Sequence, residues 1–320
     1  MPVSAGQPVI AVLTGGDRPA GLEERADGAE IRFASESTLA AALPGADVLL
    51  TWDFLSHAVP GAWHAADSVR WVHTASAGVD KVTFPELLAS DAVLTNSRGI
   101  FDRPMAEYVL GCVLAFAKDL PGTLALQSRA QWRHRETEGV AGKRATVVGS
   151  GPIGHAIADL LRAVGLRTEL VGRRGGEGVH PFDALDGLLP TTDFLVLAAP
   201  LTDTTRGMLD KAALDALPDS ARVINVGRGG LVVEQDLIAA LAGRRIAGAA
   251  LDVFETEPLP DDSPLWAMPN VIVSPHMSGD VVGWRDLLVD LFLDNLTRYR
   301  AGEPLRNVVD KSLGYVSGKG

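Results

Sequence analysis

The sequence predicts an α/β protein of two doubly wound parallel-sheet domains, and three observations carry that prediction. Short apolar runs rich in β-branched residues recur along the 320 residues, with helical or turn segments between them. Strands buried on both faces read as such unbroken runs, because helices cover both sides of a parallel sheet. Midway along the chain, Ala145-Thr146-Val147-Val148 passes directly into Gly149-Ser150-Gly151-Pro152-Ile153-Gly154, a GxGxxG turn at a strand's end.

Five runs make the first series: residues 9–13, 29–34, 48–52, 69–74 and 92–95. The connection at Gly15-Gly16-Asp17 has no GxGxxG and is assigned no nucleotide. The fourth run ends in Thr74-Ala75-Ser76-Ala77-Gly78-Val79-Asp80, small residues at the carboxyl end of a strand, where open α/β sheets bind ligands. Backbone amides of such a loop can hold a carboxylate, and a plain turn would be built alike. A helix is signalled from Asp102, with Asp102 as N-cap, Pro104 in the first turn and Met105, Val109, Cys112, Val113 and Phe116 along one face. It bridges the two domains. Residues 122–142 are polar, contain Trp132 and read as a partly irregular connection.

After the glycine turn, Ile157, Leu160, Leu161 and Val164 recur at helical spacing, Gly165 closes that helix, and Thr168–Val171 form the next strand. Runs at 194–199, 222–226, 247–252 and 271–273 complete a six-stranded unit. The last amphipathic segment, residues 287–300, precedes no strand and is expected to pack back across the first domain. The predicted domains are residues 1–100 completed by 283–320, and 101–282.

Composition narrows the class. Hydrophobic content of 47% with 22% charged residues describes a soluble globule, and no apolar run approaches the roughly 18 residues of a membrane span. Met1-Pro2-Val3-Ser4 lacks the features of a signal peptide, so a cytoplasmic protein with no membrane partner is expected. A net charge of −11 disfavours nucleic acid, whose phosphates call for a basic face. The single cysteine, Cys112, sits among apolar residues, and no Cys/His spacing suggests a metal.

The glycine turn points to a dinucleotide. Gly149 permits the tight turn, Gly151 lets the backbone approach a pyrophosphate, and Gly154 lets helix and strand pack closely, with the anion resting on the helix amino terminus. Units that select NAD place an acid about 20 residues further on, at the tip of the next strand, for the ribose hydroxyls. Here that tip is Gly172-Arg173-Arg174. No carboxylate repels a 2′-phosphate there, and two guanidiniums can clamp one, so NADP (NADPH) is expected, with NAD as the alternative.

Three further stretches end strands or follow them closely: Asn225-Val226-Gly227-Arg228-Gly229-Gly230, Asp252-Val253-Phe254-Glu255-Thr256-Glu257-Pro258 and Ser274-Pro275-His276-Met277-Ser278-Gly279. Carboxyl ends of a doubly wound sheet converge on one crevice, so a cation, an acid and an imidazole can meet there. Arg228 would orient a ketone substrate and polarise its carbonyl, while His276 would protonate the oxygen as hydride reaches carbon. A carboxylate beside the histidine fixes its ring and favours its charged form. Spacing alone leaves Glu255 and Glu257 both open for that task, and Asp252 either contacts a nicotinamide carboxamide or simply ends its strand.

With these residues in place, the sequence resembles the D-isomer-specific 2-hydroxyacid dehydrogenases, a family that includes glyoxylate/hydroxypyruvate reductases. GSGPIG, NVGRGGLV, GAALDVFETEPLP and SPLWAMPNVIVSPH follow in the family's order and spacing, and the likeness spans nearly the whole chain. The resemblance implies a flavodoxin-like substrate domain beside a Rossmann domain, with Arg228, Glu257 and His276 as the catalytic set, which selects Glu257 over Glu255. It implies a substrate carboxylate held by backbone amides near Ala77 and Gly78, and cofactor contacts at Gly149, Gly151, Pro152, Ile153, Gly154, Arg173, Arg174, Pro200, Thr205, Val226 and Asp252. It also implies a homodimer joined through the dinucleotide domains. NAD-using members carry an aspartate where this chain has Gly172, so the departure resembles the NADP-preferring reductases. Trp52, Arg98 and Trp284 lie at or near variable positions bordering the family's substrate pocket. The expected activity is NADP(H)-dependent reduction of small 2-oxoacids, glyoxylate or hydroxypyruvate, to D-2-hydroxyacids. The alternatives are a bulkier 2-oxoacid on the same scaffold, or a dinucleotide-sensing binding protein.

Overall fold

Five of the apolar runs pair side by side as β1 (Val9–Leu13), β2 (Glu30–Ala34), β3 (Val48–Thr51), β4 (Trp71–Thr74) and β5 (Val93–Thr95). In the computed structural model, which describes residues 7–316, every pairing in this sheet is parallel and the order is β2-β1-β3-β4-β5. That is the flavodoxin-like doubly wound order, whose crevice opens where the order reverses, between β1 and β3. Met1 to Ser4 lie outside the described residues. The sheet belongs to a unit of residues 1–100 and 281–320.

Alternation along the strands builds two layers on this sheet. Leu13, Leu49, Val72 and Leu94 face one helical layer, where they meet Leu39, Val59 and Leu87. Trp71 and His73, one pleat apart from Val72, point to the other face. There the helix Trp284–Ala301 stacks Phe292 on Trp71 at 5.1 Å between ring centroids, with Tyr299 at 5.5 Å. Phe292 is fully buried, and truncating such a residue to alanine costs about 3–5 kcal/mol.

Residues 101–280 form the other unit. Its sheet comprises β6 (Arg144–Val148), β7 (Arg167–Gly172), β8 (Val179–Pro181), β9 (Phe194–Leu197), β10 (Arg222–Asn225), β11 (Gly248–Leu251) and β12 (Val271–Val273). All are parallel, in the order β12-β11-β10-β9-β6-β7-β8. Relabelled from the first strand of the unit, this is the dinucleotide-binding order 3-2-1-4-5-6 extended by one strand. Ala145, Val147, Phe194 and Val196 enter one core with Ile157 and Leu161, and Val148, Leu195, Leu197 and Val223 enter the opposite core. Both faces are dry, which is why these strands are continuously apolar.

The fold class is as the sequence predicts, and several details differ. The second sheet has seven strands rather than six. The additional strand is β8, an edge strand of three half-exposed residues ending in Pro181, which gives neither an apolar run nor alternation to read. Asp102 is the first residue of the helix Asp102–Ala117 rather than its cap, a position held by Phe101 without a side-chain bond. Part of the segment at 122–142 is helical: Leu120–Gln127 form a helix capped by Asp119, whose carboxylate accepts from the Gly122 amide. The helix of the glycine turn ends at Ala163, two residues before Gly165, which lies in the left-handed region at φ 93°. Among the described residues no single helix is long and apolar enough to cross a membrane; the pair Asp102–Ala117 and Leu120–Gln127 reaches that length only across a 64° bend.

Candidate active site

The cofactor turn joins β6 to the helix Pro152–Ala163, whose N-cap is Gly151. Gly149 holds φ at 123°, and a Cβ there would stand 2.5 Å from the carbonyl oxygen of Ala198 on the neighbouring strand connection. A Cβ on Gly154 would lie 1.6 Å from the Gly149 carbonyl oxygen, so helix and turn touch backbone to backbone. Gly151 is different: its missing Cβ faces open space. Two glycines thus serve packing, and the third leaves room at a helix amino terminus, where unbonded amides and the helix dipole favour an anion. Pro152, in the first turn, forgoes an amide that the helix would not use, and Ile153 and Gly154 follow it.

At the end of β7, Gly172 is buried, and a Cβ on it would press within 2.1 Å of the Ser150 hydroxyl. Arg173 and Arg174, directly after it, are exposed. Thr205 is nearly buried, and its hydroxyl is committed to its own loop: it donates to the Pro200 carbonyl at 2.7 Å and accepts from the Thr202 amide at 2.8 Å. Its role there is to shape the turn that follows β9. Val226, buried just past β10, is fixed by its amide to Leu197.

The reactive side chains gather at the carboxyl ends of β10, β11 and β12. Asn225 braces the Arg228 turn, accepting from the Gly227 amide and donating to the Arg228 carbonyl. A Cβ on Gly229 would fall 1.8 Å from the Phe254 carbonyl carbon, so this turn and the loop after β11 are in backbone contact, which explains the glycine at 229. In that loop Glu257 reaches His276: Nδ1 of the ring lies 2.8 Å from Oε2, and Oε1 accepts from the Phe254 amide at 3.0 Å. Burial raises the Glu257 pKa, but the bonds from His276 and the Phe254 amide, with the charges of His276 and Arg228, outweigh it and leave the carboxyl below its ordinary value. Glu255 points elsewhere: its carboxylate accepts from the Glu234 amide at 3.1 Å, and the Glu234 carboxylate accepts from the Glu255 amide at 3.2 Å. The geometry thus separates two acids that spacing left equivalent. About a quarter of each side chain of the His276–Glu257 pair is exposed, and with Nδ1 engaged, Nε2 is the ring nitrogen left for an incoming oxygen.

Asp252 is wholly buried after β11. Its carboxylate accepts from the Ser274 hydroxyl at 2.6 Å and from the amides of Met277 and Ser278 at 2.9 and 2.8 Å. These bonds hold the His276 loop, a function that the sequence reading did not give it, and they leave one of about four lone-pair directions for a ligand. Ser274 in turn meets the Tyr108 hydroxyl at 2.5 Å. No sequence signal singles out Tyr108, which stands 166 residues from its partner.

In the first unit, the loop after β4 is bound through its carbonyls. Ser76 accepts from the Ser97 amide, Ala77 from Asn96 Nδ2 at 2.6 Å, Gly78 from the Ser76 hydroxyl at 2.6 Å, and Val79 from the Thr83 hydroxyl. The Ala77 and Gly78 amides donate to no described residue. With every carbonyl turned inward, the loop offers donors, as a carboxylate requires. Of the bordering residues, Trp52 is nearly buried, Arg98 donates to the Val316 carbonyl, and Trp284 packs edge-on to Phe54. Among the described residues no group of three or more His, Cys, Asp or Glu side chains is placed to hold a metal ion.

Comparison with known proteins places the chain in a family. Residues 110–278, just over half of the chain, match the model of the D-isomer specific 2-hydroxyacid dehydrogenase NAD binding domain. A glyoxylate/hydroxypyruvate reductase A from Salmonella newport is 32% identical over 286 residues, 84% of this chain and 88% of the relative. A D-isomer specific 2-hydroxyacid dehydrogenase from Xanthobacter autotrophicus, solved with NADPH, aligns at a TM-score of 0.80 with 32% identity, covering 97% of this chain and all of that one. The NADPH-dependent glyoxylate/hydroxypyruvate reductase of Sinorhizobium meliloti, solved with NADP and sulfate, aligns at a TM-score of 0.79 with 31% identity over 97% of this chain and all of its own. With two parallel-sheet units, a dinucleotide turn and this breadth of similarity, the chain belongs to the D-isomer-specific 2-hydroxyacid dehydrogenases, NAD(P)-dependent oxidoreductases.

Proposed function

We propose that this protein reduces small 2-oxoacids, glyoxylate and hydroxypyruvate foremost, to D-2-hydroxyacids with NADPH. The observation that carries this reading is the 2.8 Å bond between His276 Nδ1 and Glu257, made in the same unit as the glycine turn. Relatives named or solved as glyoxylate/hydroxypyruvate reductases, one of them NADPH-dependent, support the substrate class and the cofactor. Bound NADPH supplies the hydride; the chain's residues do the rest. His276, aligned by Glu257, holds at Nε2 the proton that the carbonyl oxygen takes up as it gains negative charge. Arg228 places a fixed cation beside that developing charge, and the Ala77 and Gly78 amides donate to the substrate's carboxylate.

The cofactor's pyrophosphate rests at Gly149, Gly151, Pro152, Ile153 and Gly154, beside the loop of Pro200 and Thr205. Val226 and the remaining Asp252 lone pair serve the nicotinamide end. Arg173 and Arg174 clamp the 2′-phosphate, since Gly172 brings no carboxylate to repel it. Arg173→Asp is therefore expected to raise the Kd for NADPH more than tenfold and that for NADH less than about twofold. Equal effects on the two cofactors, measured by fluorescence titration, would argue against the clamp. We also read the protein as a cytoplasmic homodimer. Leu120, Leu124 and Trp132 of the second unit, 48%, 64% and 101% exposed, give that unit apolar surface suited to a second copy. A monomeric mass in sedimentation would contradict it.

The direct test is the initial rate of NADPH and NADH oxidation against glyoxylate, hydroxypyruvate, pyruvate and phenylpyruvate. Fast turnover of the two smallest acids with NADPH is expected. Binding of NADPH without turnover of any 2-oxoacid would overturn the reading.

A further inference from the structure

His276 is held in a conformation that a side chain other than glycine rarely adopts: its φ is 53°, in the left-handed region. Such a residue is strained and persists only where its surroundings over-determine it. One residue supplies most of what holds its backbone, with the Ser274 carbonyl sharing the His276 amide at 3.1 Å. The amides of His276, Met277 and Ser278 all donate to Asp252, the first to its carbonyl at 2.8 Å and the next two to its carboxylate oxygens at 2.9 and 2.8 Å. The turn that aims the imidazole is thus written by the position of a single buried acid.

Asp252 itself is held from outside the two strand ends. Its carboxylate can only accept, so the single Ser274 proton goes to Oδ1, and the Ser274 oxygen must receive the hydrogen of its other contact. That contact is the Tyr108 phenol at 2.5 Å, which therefore donates. Tyr108 belongs to the helix Asp102–Ala117, one turn before Cys112, so the chain Tyr108–Ser274–Asp252 ties the histidine turn to a separate helix with one buried face. Burial keeps the phenol protonated well beyond its ordinary range, with the neighbouring Cys112 and Asp252 adding to the effect. A hydrogen-bonded network of this kind, anchored on the buried Asp252, favours one geometry of the loop.

We propose that Tyr108 is a positioning residue for catalysis: acting through Ser274 and Asp252, its hydroxyl sets the backbone turn that aims His276. This rests on the reading of His276 as the proton donor. Displacement of a reacting group by about 1 Å can cost on the order of a hundredfold in rate, so a partial loosening has a measurable effect.

The test is a double-mutant cycle. Tyr108→Phe, which keeps the ring and removes one hydroxyl, is expected to lower kcat about tenfold, with the NADPH Kd from fluorescence titration within about twofold of wild type. In a His276→Ala background the same substitution should change the residual rate less than twofold, because nothing is left to aim. Ser274→Ala should reproduce the loss of kcat and Ser274→Thr, which restores the hydroxyl, should recover it; this pair carries the test should Tyr108→Phe not fold. Wild-type kcat in Tyr108→Phe, or an equal loss in the His276→Ala background, overturns the positioning role. Wild-type kcat in His276→Ala alone instead overturns the reading of His276.

Discussion

The two units each hold a histidine close to the carboxyl end of a parallel strand, and the pair shows how environment decides what one residue type can do. His73, in β4, is 1% exposed. Its Nδ1 meets the Thr95 hydroxyl at 2.7 Å, the same hydroxyl that accepts from Trp71 Nε1, and its Nε2 faces Ser97 at 3.4 Å. No carboxylate bonds to it, and burial drives its pKa down to about 3, so the ring is a neutral part of the core. His276 has the opposite surroundings: a carboxylate on one nitrogen, a cation near that carboxylate, and a side chain about a quarter exposed. Proton transfer needs a ring that meets a charge partner and can be reached, and of these two histidines only His276 has such surroundings.

The largest expected difference between the two is in rate. His276→Ala should lower kcat by about 10²–10⁴-fold while leaving NADPH affinity nearly unchanged, since the group acts in the transition state. Glu257→Gln should follow, at about 10- to 100-fold. It keeps the side chain's shape but removes the charge that favours an imidazolium and leaves one acceptor oxygen where the Phe254 amide and His276 Nδ1 now use two. Steady-state kinetics of both variants with glyoxylate decide the matter. A Glu257→Gln enzyme at wild-type kcat would reduce this carboxylate to a structural brace, no different in kind from Thr95 beside His73.

The same contrast governs how much the sequence could reveal. Charged groups announce themselves by type, and Arg228 and His276 could be singled out as candidates from their places after apolar runs, as could the glycine turn from its strand and helix. The loop at Ala77 and Gly78 is nearly mute, because backbone amides have no side-chain signature and their direction is set by partners as distant as Asn96 and Ser97. Glu255 and Glu257 could not be told apart by spacing, since what separates them is the reciprocal bonding of Glu255 with Glu234. The strand β8 was invisible because three half-exposed residues on a sheet edge carry no periodicity. Tyr108 read as one more residue of an apolar helix, for its partner arrives 166 positions later.

The smallest and most specific expectation concerns pH and tests whether His73 is neutral by burial alone. Its folded pKa, about 3, lies below the ordinary value of 6.5, so as pH falls the unfolded chain takes up a proton that the folded chain refuses. The stability linked to this group is therefore complete above pH about 6.5 and is lost progressively as pH falls toward about 3. His73→Gln removes the titration and keeps a polar side chain of similar length. Other groups titrate alike in both proteins and cancel in the difference. Between about pH 6 and 4, wild-type protein should accordingly lose about 1.4 kcal/mol more per pH unit than the variant, read from urea midpoints of the first unit's transition. Within the folded population at neutral pH, kcat should stay within about twofold of wild type, because His73 holds its strand and no proton of the reaction. Parallel stability curves would mean that His73 is protonated in the fold after all, and the distinction between the two histidines would then be one of degree.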